Sequence, residues 1–213
     1  MSKTIPCLFF SIFTIALLCV YPQLLNDPDT GWHIIAGQWI IENKAIPSLD
    51  PFSFTSGDYG WHNISWGWDT LMGFLHKQQG LYYPLIFSII LNSAIIYLLI
   101  KHSLSRDAGV ISTLFPILLG CTALFVTLTI RPHQVTNLFA LIFYISLFKH
   151  SKVWLLPFLM LIWVNMHGGF LAGFTILGAF LVQEYFKKDS VKFKPILLTT
   201  IACLLVIPIN PLG

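Results

Sequence analysis

Apolar runs, most of them long enough to cross a bilayer and separated by polar intervals, dominate the chain. They cover Ile5–Leu25, Leu81–Ile100, Gly109–Ile130, His133–Phe148, Val153–Met166, Gly168–Phe186 and Pro195–Ile209. A hydrocarbon core about 30 Å thick is crossed by about 20 helical residues, and helices satisfy their own backbone polar groups where lone strands do not. The pattern therefore predicts an all-α membrane protein of about seven transmembrane helices. The fifth and seventh runs are short: at 1.5 Å per residue they reach about 21 to 23 Å, so local thinning or a cavity must accommodate them. After the first run, Val20, Tyr21 and Pro22 stand where a cleaved signal would need small residues, so this run is expected to remain as an anchor.

One interval is long. Asn26 to Gly80 forms the first loop, and within it Trp32, Ile35, Trp39 and Ile40 recur at helical spacing, which predicts a short interfacial helix over Thr30–Glu42. A second is predicted over Ser65–Gln79. Between them, Pro47, Asp50-Pro51, Gly57 and Gly60 mark Ala45–Gly60 as an irregular crossing. The whole chain, 1–213, reads as a single transmembrane domain in which 26–80 is the one substantial loop.

Composition removes other classes. The chain is 56% hydrophobic and 10% charged with mean hydropathy +0.76, whereas soluble domains carry about 25% charged residues. A net charge of +3, scattered along the chain, is too small to suggest nucleic acid, and no nucleic-acid partner is expected. The placement of charge is more informative than its sum. Lys101 and Arg106, Lys149 and Lys152, and Lys187, Lys188, Lys192 and Lys194 follow alternate runs; with Lys3 they are nine of the twelve lysines and arginines. Positive loops stay cytoplasmic, so the N-terminus is cytoplasmic and the 26–80 loop, the Arg131 turn, the His167 turn and the C-terminus face outward. The four cysteines, Cys7, Cys19, Cys121 and Cys203, lie singly inside apolar runs, without the spacing of a disulfide or zinc site.

The outer loop gathers the polar chemistry. Asp27, Asp29, Glu42, Asp50, Asp58 and Asp69 face only Lys44 and Lys77, and five of the seven tryptophans (Trp32, Trp39, Trp61, Trp66 and Trp68) accompany His33, His62 and His76. Asp27-Pro28-Asp29 most invites chemistry. Asp27 followed by Pro28 is also a good helix start, and Asp29 could itself be the cap; one start needs one cap, which leaves a carboxylate over. His33 and His62 fit interfacial hydrogen-bonding roles as well as ligand roles. Asp50-Pro51 fits a turn, and the tryptophans fit a membrane belt or a face for a sugar ring. Arg131-Pro132-His133 forms a tight turn whose arginine suits a phosphate, either of lipid or at a specific site. In Asn165-Met166-His167-Gly168-Gly169 the glycines permit a sharp hairpin beside His167. Asn63-Ile64-Ser65 fits the glycosylation sequon.

At these residues the chain resembles the integral membrane glycosyltransferases of the C-type (GT-C) superfamily, close to bacterial membrane proteins of the mannosyltransferase-like kind. Asp27-x-Asp29 followed by Trp32-His33, Gly37 and Ile40-Ile41, then Ile46-Pro47 and Asp50-Pro51-Phe52-Ser53, is similar to the family's first outer loop, and Trp61, Trp66 and Asp69 continue it. Arg131-Pro132, Trp163-x-Asn165-x-His167-Gly168-Gly169-Phe170 and Asn210-Pro211 are similar to later landmarks. The resemblance implies transfer of a sugar from a polyprenyl-phosphate donor to an acceptor hydroxyl outside the membrane, with the lipid bilayer holding the donor. It implies Asp29 as general base and Asp27 in support. Arg131, His167 or a divalent cation, held by Asp27 and Asp29 if present, would stabilise the leaving phosphate. Trp32, His33, Asp50, His62 and Trp66 join Arg131 and His167 as substrate-binding expectations. It further implies a bacterial inner membrane location and a chain corresponding to the N-terminal part of a longer module. Two other readings fit the apolar pattern: a transporter, motivated by the short runs and Gly168-Gly169, and a truncated non-catalytic membrane subunit.

Overall fold

Pro28, Gly80, Pro132 and the Gly168-Gly169 pair divide the chain into helices at the places local chemistry demands. The computed structural model describes residues 4–19, 21–55, 59–105, 109–124, 129–188 and 190–211. Within them lie α1 (Thr4–Cys19), α2 (Tyr21–Leu25), α3 (Pro28–Asn43), α4 (Trp66–Gln79), α5 (Tyr82–Leu104), α6 (Val110–Leu124), α7 (His133–Phe148), α8 (Leu156–Met166), α9 (Leu171–Phe186) and α10 (Ser190–Leu205). Short 3-10 turns, Val153–Leu155 and Gly168–Phe170, lead into α8 and α9. The fold is all-helical: no strand occurs among the described residues, and the 45–60 crossing contributes a single antiparallel bridge between Leu49 and Gly60.

The helix ends have local causes. Asp27 caps α3 with Pro28 in its first turn, and α3 stops at Lys44 in the left-handed region. Gly80, at φ 60°, stops α4. α8 ends where His167 turns extended.

Several bounds differ from the hydrophobic pattern. The first run is helical over Thr4–Cys19 and Tyr21–Leu25, on either side of Val20, which lies outside the described residues. α6 is described as far as Leu124, and the rest of the expected run, residues 125–128, lies outside the described set. α10 starts at Ser190 with Pro195 inside it and ends at Leu205, because helix continues through the polar Lys192 and Lys194 that hydropathy excludes. Lys3, Gly57, Asp58 and Arg106 also fall outside the described residues. Two helical stretches, Tyr82–Leu104 and Gly168–Phe186, are long and apolar enough to cross a membrane; His133–Phe148 and Val153–Met166 are shorter apolar helices.

α5 packs against α1, α6 and α7; α7 packs against α9; and α10 lies between α8 and α9. The rings of Phe139 and Phe143 meet Trp163 edge-on at 5.8 and 5.4 Å. Large apolar side chains also cover the outside, among them Leu8, Ile12 and Ile15 on α1, Phe115 and Leu118 on α6, and Leu198 and Leu205 on α10.

The α3–α4 pair departs from helices lying separately on a surface. A Cβ at Gly37 would stand 1.7 Å from the Asp69 carbonyl oxygen, and one at Gly73 would stand 2.5 Å from the backbone nitrogen of Gln38. The two backbones therefore touch. This contact buries Thr30, His33, Ile34, Ala36 and Ile40 while leaving Trp32 and Ile35 exposed, and it brings His33 opposite the start of α4.

Candidate functional site

The break before α3 places Asp27 and Asp29 at a helix start, and the turn before α7 carries Arg131 to them. Arg131 Nε donates to Asp27 Oδ2, and its Nη2 donates to Asp27 Oδ1 at 2.7 Å and lies 3.1 Å from Asp29 Oδ2. Asp27 thus does two structural tasks. Its Oδ1 also accepts the Asp29 backbone N–H at 2.9 Å as the helix cap. Planar guanidinium and carboxylate groups match in this forked geometry. Hydrogen bonding from Arg131 holds the Asp27 carboxyl down at about 2 against the opposing effect of burial, with further hydrogen bonds from the Thr129 side chain and the Asp29 N–H. The Asp27 side chain is 4% exposed, Arg131 39% and Asp29 50%. Asp29 is the open member of the trio.

The turn arginine is engaged by carboxylates of its own chain and keeps part of its surface exposed, and its guanidinium lies between Asp27 and Asp29. Among the described residues no group of three or more His, Cys, Asp or Glu side chains is arranged to hold a metal ion.

A second network lies one helical turn along α3. His33 Nδ1 is 2.6 Å from Asp69 Oδ1. Asn63 Nδ2 donates to Asp69 Oδ2 at 2.8 Å, and the Ser65 hydroxyl donates to Oδ1 at 3.3 Å. Asn63 Oδ1 accepts the Ser65 N–H at 3.0 Å, which fixes the amide so that its NH2 faces Asp69. All four residues are buried. The first-loop pattern included Asp69, but nothing singled it out as the partner of His33. A usable signal existed: Asp69 sits between Trp68 and Met72 on the packed face of α4, and a carboxylate buried there must find donors.

A third network joins the later landmarks. Trp66 Nε1 donates to Asn165 Oδ1 at 2.9 Å, and Asn165 Nδ2 donates to the carbonyls of Leu161 and Ile209 at 2.8 and 2.9 Å. Asn210 Nδ2 returns to the Val164 carbonyl at 2.8 Å. Beside them Trp163 Nε1 donates to Thr136 Oγ1 at 3.0 Å, and the Thr136 hydroxyl lies 2.7 Å from His167 Nδ1. The Gly169 N–H donates to the same ring nitrogen at 3.3 Å, so Nδ1 is an acceptor and Nε2 carries the proton. Burial lowers the His167 pKa, and the nearby His133 and His33 add to that. Gly169 is required by closeness: a Cβ there would lie 2.4 Å from Thr136 Oγ1.

The remaining expected residues are separate from these networks. Asp50 builds its own turn, accepting the N–H groups of Phe52 and Ser53 at 2.9 and 3.2 Å. Hydrogen bonds, first from the Ser53 side chain, lower its pKa. Its turn reading holds. His62 is exposed. Trp32 stacks with Phe52 and Trp61, with ring centres 5.2 and 4.9 Å away, giving an aromatic face adjoining His33 along the chain. Asn63, the sequon asparagine, is buried and hydrogen-bonded and so unavailable for modification in this fold. No protein family model, curated protein or solved structure matches the chain.

Proposed function

We propose that the chain spans the membrane about seven times, through α1 with α2 and through α5 to α10, and transfers a sugar from a polyprenyl-phosphate donor to an acceptor hydroxyl at the outer face. Exposed apolar side chains on α1, α5, α6, α8, α9 and α10 support the spans, since lipid solvates such surface and water does not. Lysines at the ends of α5, α7 and α9 farthest from Asp27 support the orientation.

The observation that carries the function is the open carboxylate of Asp29, fixed by Arg131 across the bundle. In this reading the acceptor O–H bond breaks as its proton passes to Asp29 and its oxygen forms a bond to the sugar C1. The C1–O bond to phosphate breaks, and its electron pair leaves on the phosphate. A phosphate needs positive charge more than a proton donor. The exposed part of Arg131 and the N-terminal end of α7, which starts two residues later, supply it. A divalent cation arriving with the donor would add to that charge. The GT-C resemblance of the first-loop residues points the same way.

The test is reconstitution of the chain in liposomes with tritiated polyprenyl-phosphate mannose as donor probe and an octyl hexoside as acceptor. Labelled glycoside is expected as product. Sugar flux across the bilayer without glycoside formation would instead identify a transporter.

A further inference from the structure

The trio of Asp27, Asp29 and Arg131 leaves a question about the proton. Once taken from an acceptor it would neutralise Asp29 and cost that carboxylate its ion pair with Arg131. A resting place farther from Arg131 would favour turnover. Residues four apart on a helix share a face, with Cβ atoms about 5–6 Å apart, and four residues after Asp29 stands His33.

Asp69 sets the state of that imidazole. Its Oδ2 is taken by the Asn63 NH2 group and its Oδ1 receives the Ser65 hydroxyl, so the carboxylate meets donors on both oxygens and presents only acceptors to His33. The proton at the 2.6 Å contact therefore belongs to His33 Nδ1, and in the neutral imidazole the lone pair is on Nε2. A histidine fixed in one tautomer by a buried carboxylate is an arrangement that takes up and returns protons. Its rigidity comes from the Gly37–Gly73 crossing, which locks α3 to α4 one turn beyond.

We propose that His33 Nε2 is the proton store of the transfer reaction, receiving the acceptor's proton from Asp29 directly or through one water, with Asp69 as its positioning residue. The inference rests on the transferase reading. The O–H bond of the acceptor breaks, Asp29 carries the proton, and the N–H bond forms at His33 Nε2. The imidazolium then pairs with Asp69 until the proton returns to water. His167, with Nδ1 as acceptor and Nε2 protonated, has the opposite tautomer and cannot store a proton at Nε2.

The test combines nitrogen-15 NMR of the imidazoles in the detergent-solubilised full chain with kinetics on the mannose donor and octyl hexoside probes. The native chain is expected to show His33 protonated at Nδ1 and bare at Nε2 at neutral pH. In Asp69→Asn the new amide oxygen must accept from Asn63, so its NH2 faces His33 and moves the ring proton to Nε2. That variant is expected to lose about 10²- to 10⁴-fold in kcat with KM unchanged, and His33→Gln the same. A native His33 protonated at Nε2 overturns the inference without any kinetics and even if Asp69→Asn does not fold. Full turnover in His33→Gln, with Asp29→Asn inactive, overturns it and leaves the transferase reading standing. Absence of transfer by the folded native chain overturns the transferase reading and the inference together.

Discussion

At the carboxylate end of the helices, an ion pair and a hydrogen bond connect residues far apart in the chain; at the lysine end, the contacts of Glu184 connect neighbours. Asp27 meets Arg131 across 104 positions and Trp66 meets Asn165 across 99. Glu184, at the other end, takes its hydrogen bond from the adjacent Gln183 at 2.8 Å, and Lys187, three positions on and 59% exposed, lies 3.7 Å away. Lys101, Lys149, Lys152 and Lys188 are exposed as well. A charge that only orients a helix needs the right sign at the right end, and any lysine there serves. A site needs particular atoms at particular places, and long-range partners are what hold them. The contrast favours the carboxylate end as the place for the proposed chemistry.

The contrast can be broken most forcefully at Arg131. Arg131→Ala strands the buried Asp27 carboxylate without its partner, and denaturant unfolding in detergent is expected to show a loss of about 2–3 kcal/mol. A fully buried pair would lose about 3–5 kcal/mol, and the partial exposure of Arg131 reduces this. Asp27→Asn keeps a capping side chain and should cost less, because it removes the charge along with its need for a partner.

Acid gives the next largest effect. The folded-state pKa of Asp27, about 2, lies below its ordinary value of 3.8, so its contribution is fully present above 3.8 and disappears as pH falls through about 2. Stability is expected to drop by about 2 kcal/mol across that window from this group. In Asp27→Asn that part of the acid dependence should be missing, and an unchanged profile would show that the fork does not form.

The smallest effect is expected at the other end. Lys187→Ala should cost less than Arg131→Ala, because Lys187 is 59% exposed and 3.7 Å from Glu184, whose hydrogen bond from Gln183 remains. A loss comparable to that of Arg131→Ala would erase the distinction between the two ends.

Much of the fold could be read from the pattern of residues. His133–Phe148 is helical over the span that hydropathy marks, because Pro132 precedes it and Lys149 ends the apolar run. Asp27 with Pro28 announced a helix start, and that start exists. The site was legible only in its parts. The choice between capping and chemistry for Asp27 and Asp29 could not be made along the chain, because the group that separates their roles is Arg131, brought in by packing. The pairing of His33 with Asp69 depends on Gly37 and Gly73 letting two backbones touch, and local periodicity says nothing about which helix a glycine will face. The start of the last helix was misplaced for a simpler reason: hydropathy excludes Lys192 and Lys194, and the helix runs through them to Pro195 and beyond.

The central claim is that Asp29 takes the acceptor proton in sugar transfer. The most direct measurement compares the native chain with Asp29→Asn, reconstituted in liposomes, for glycoside formed from tritiated polyprenyl-phosphate mannose. The variant keeps the side-chain shape and the Asp27–Arg131 fork. Its turnover is expected to fall by about 10²- to 10⁴-fold while the protein stays folded; glycoside formation at the native rate by folded Asp29→Asn would contradict the account.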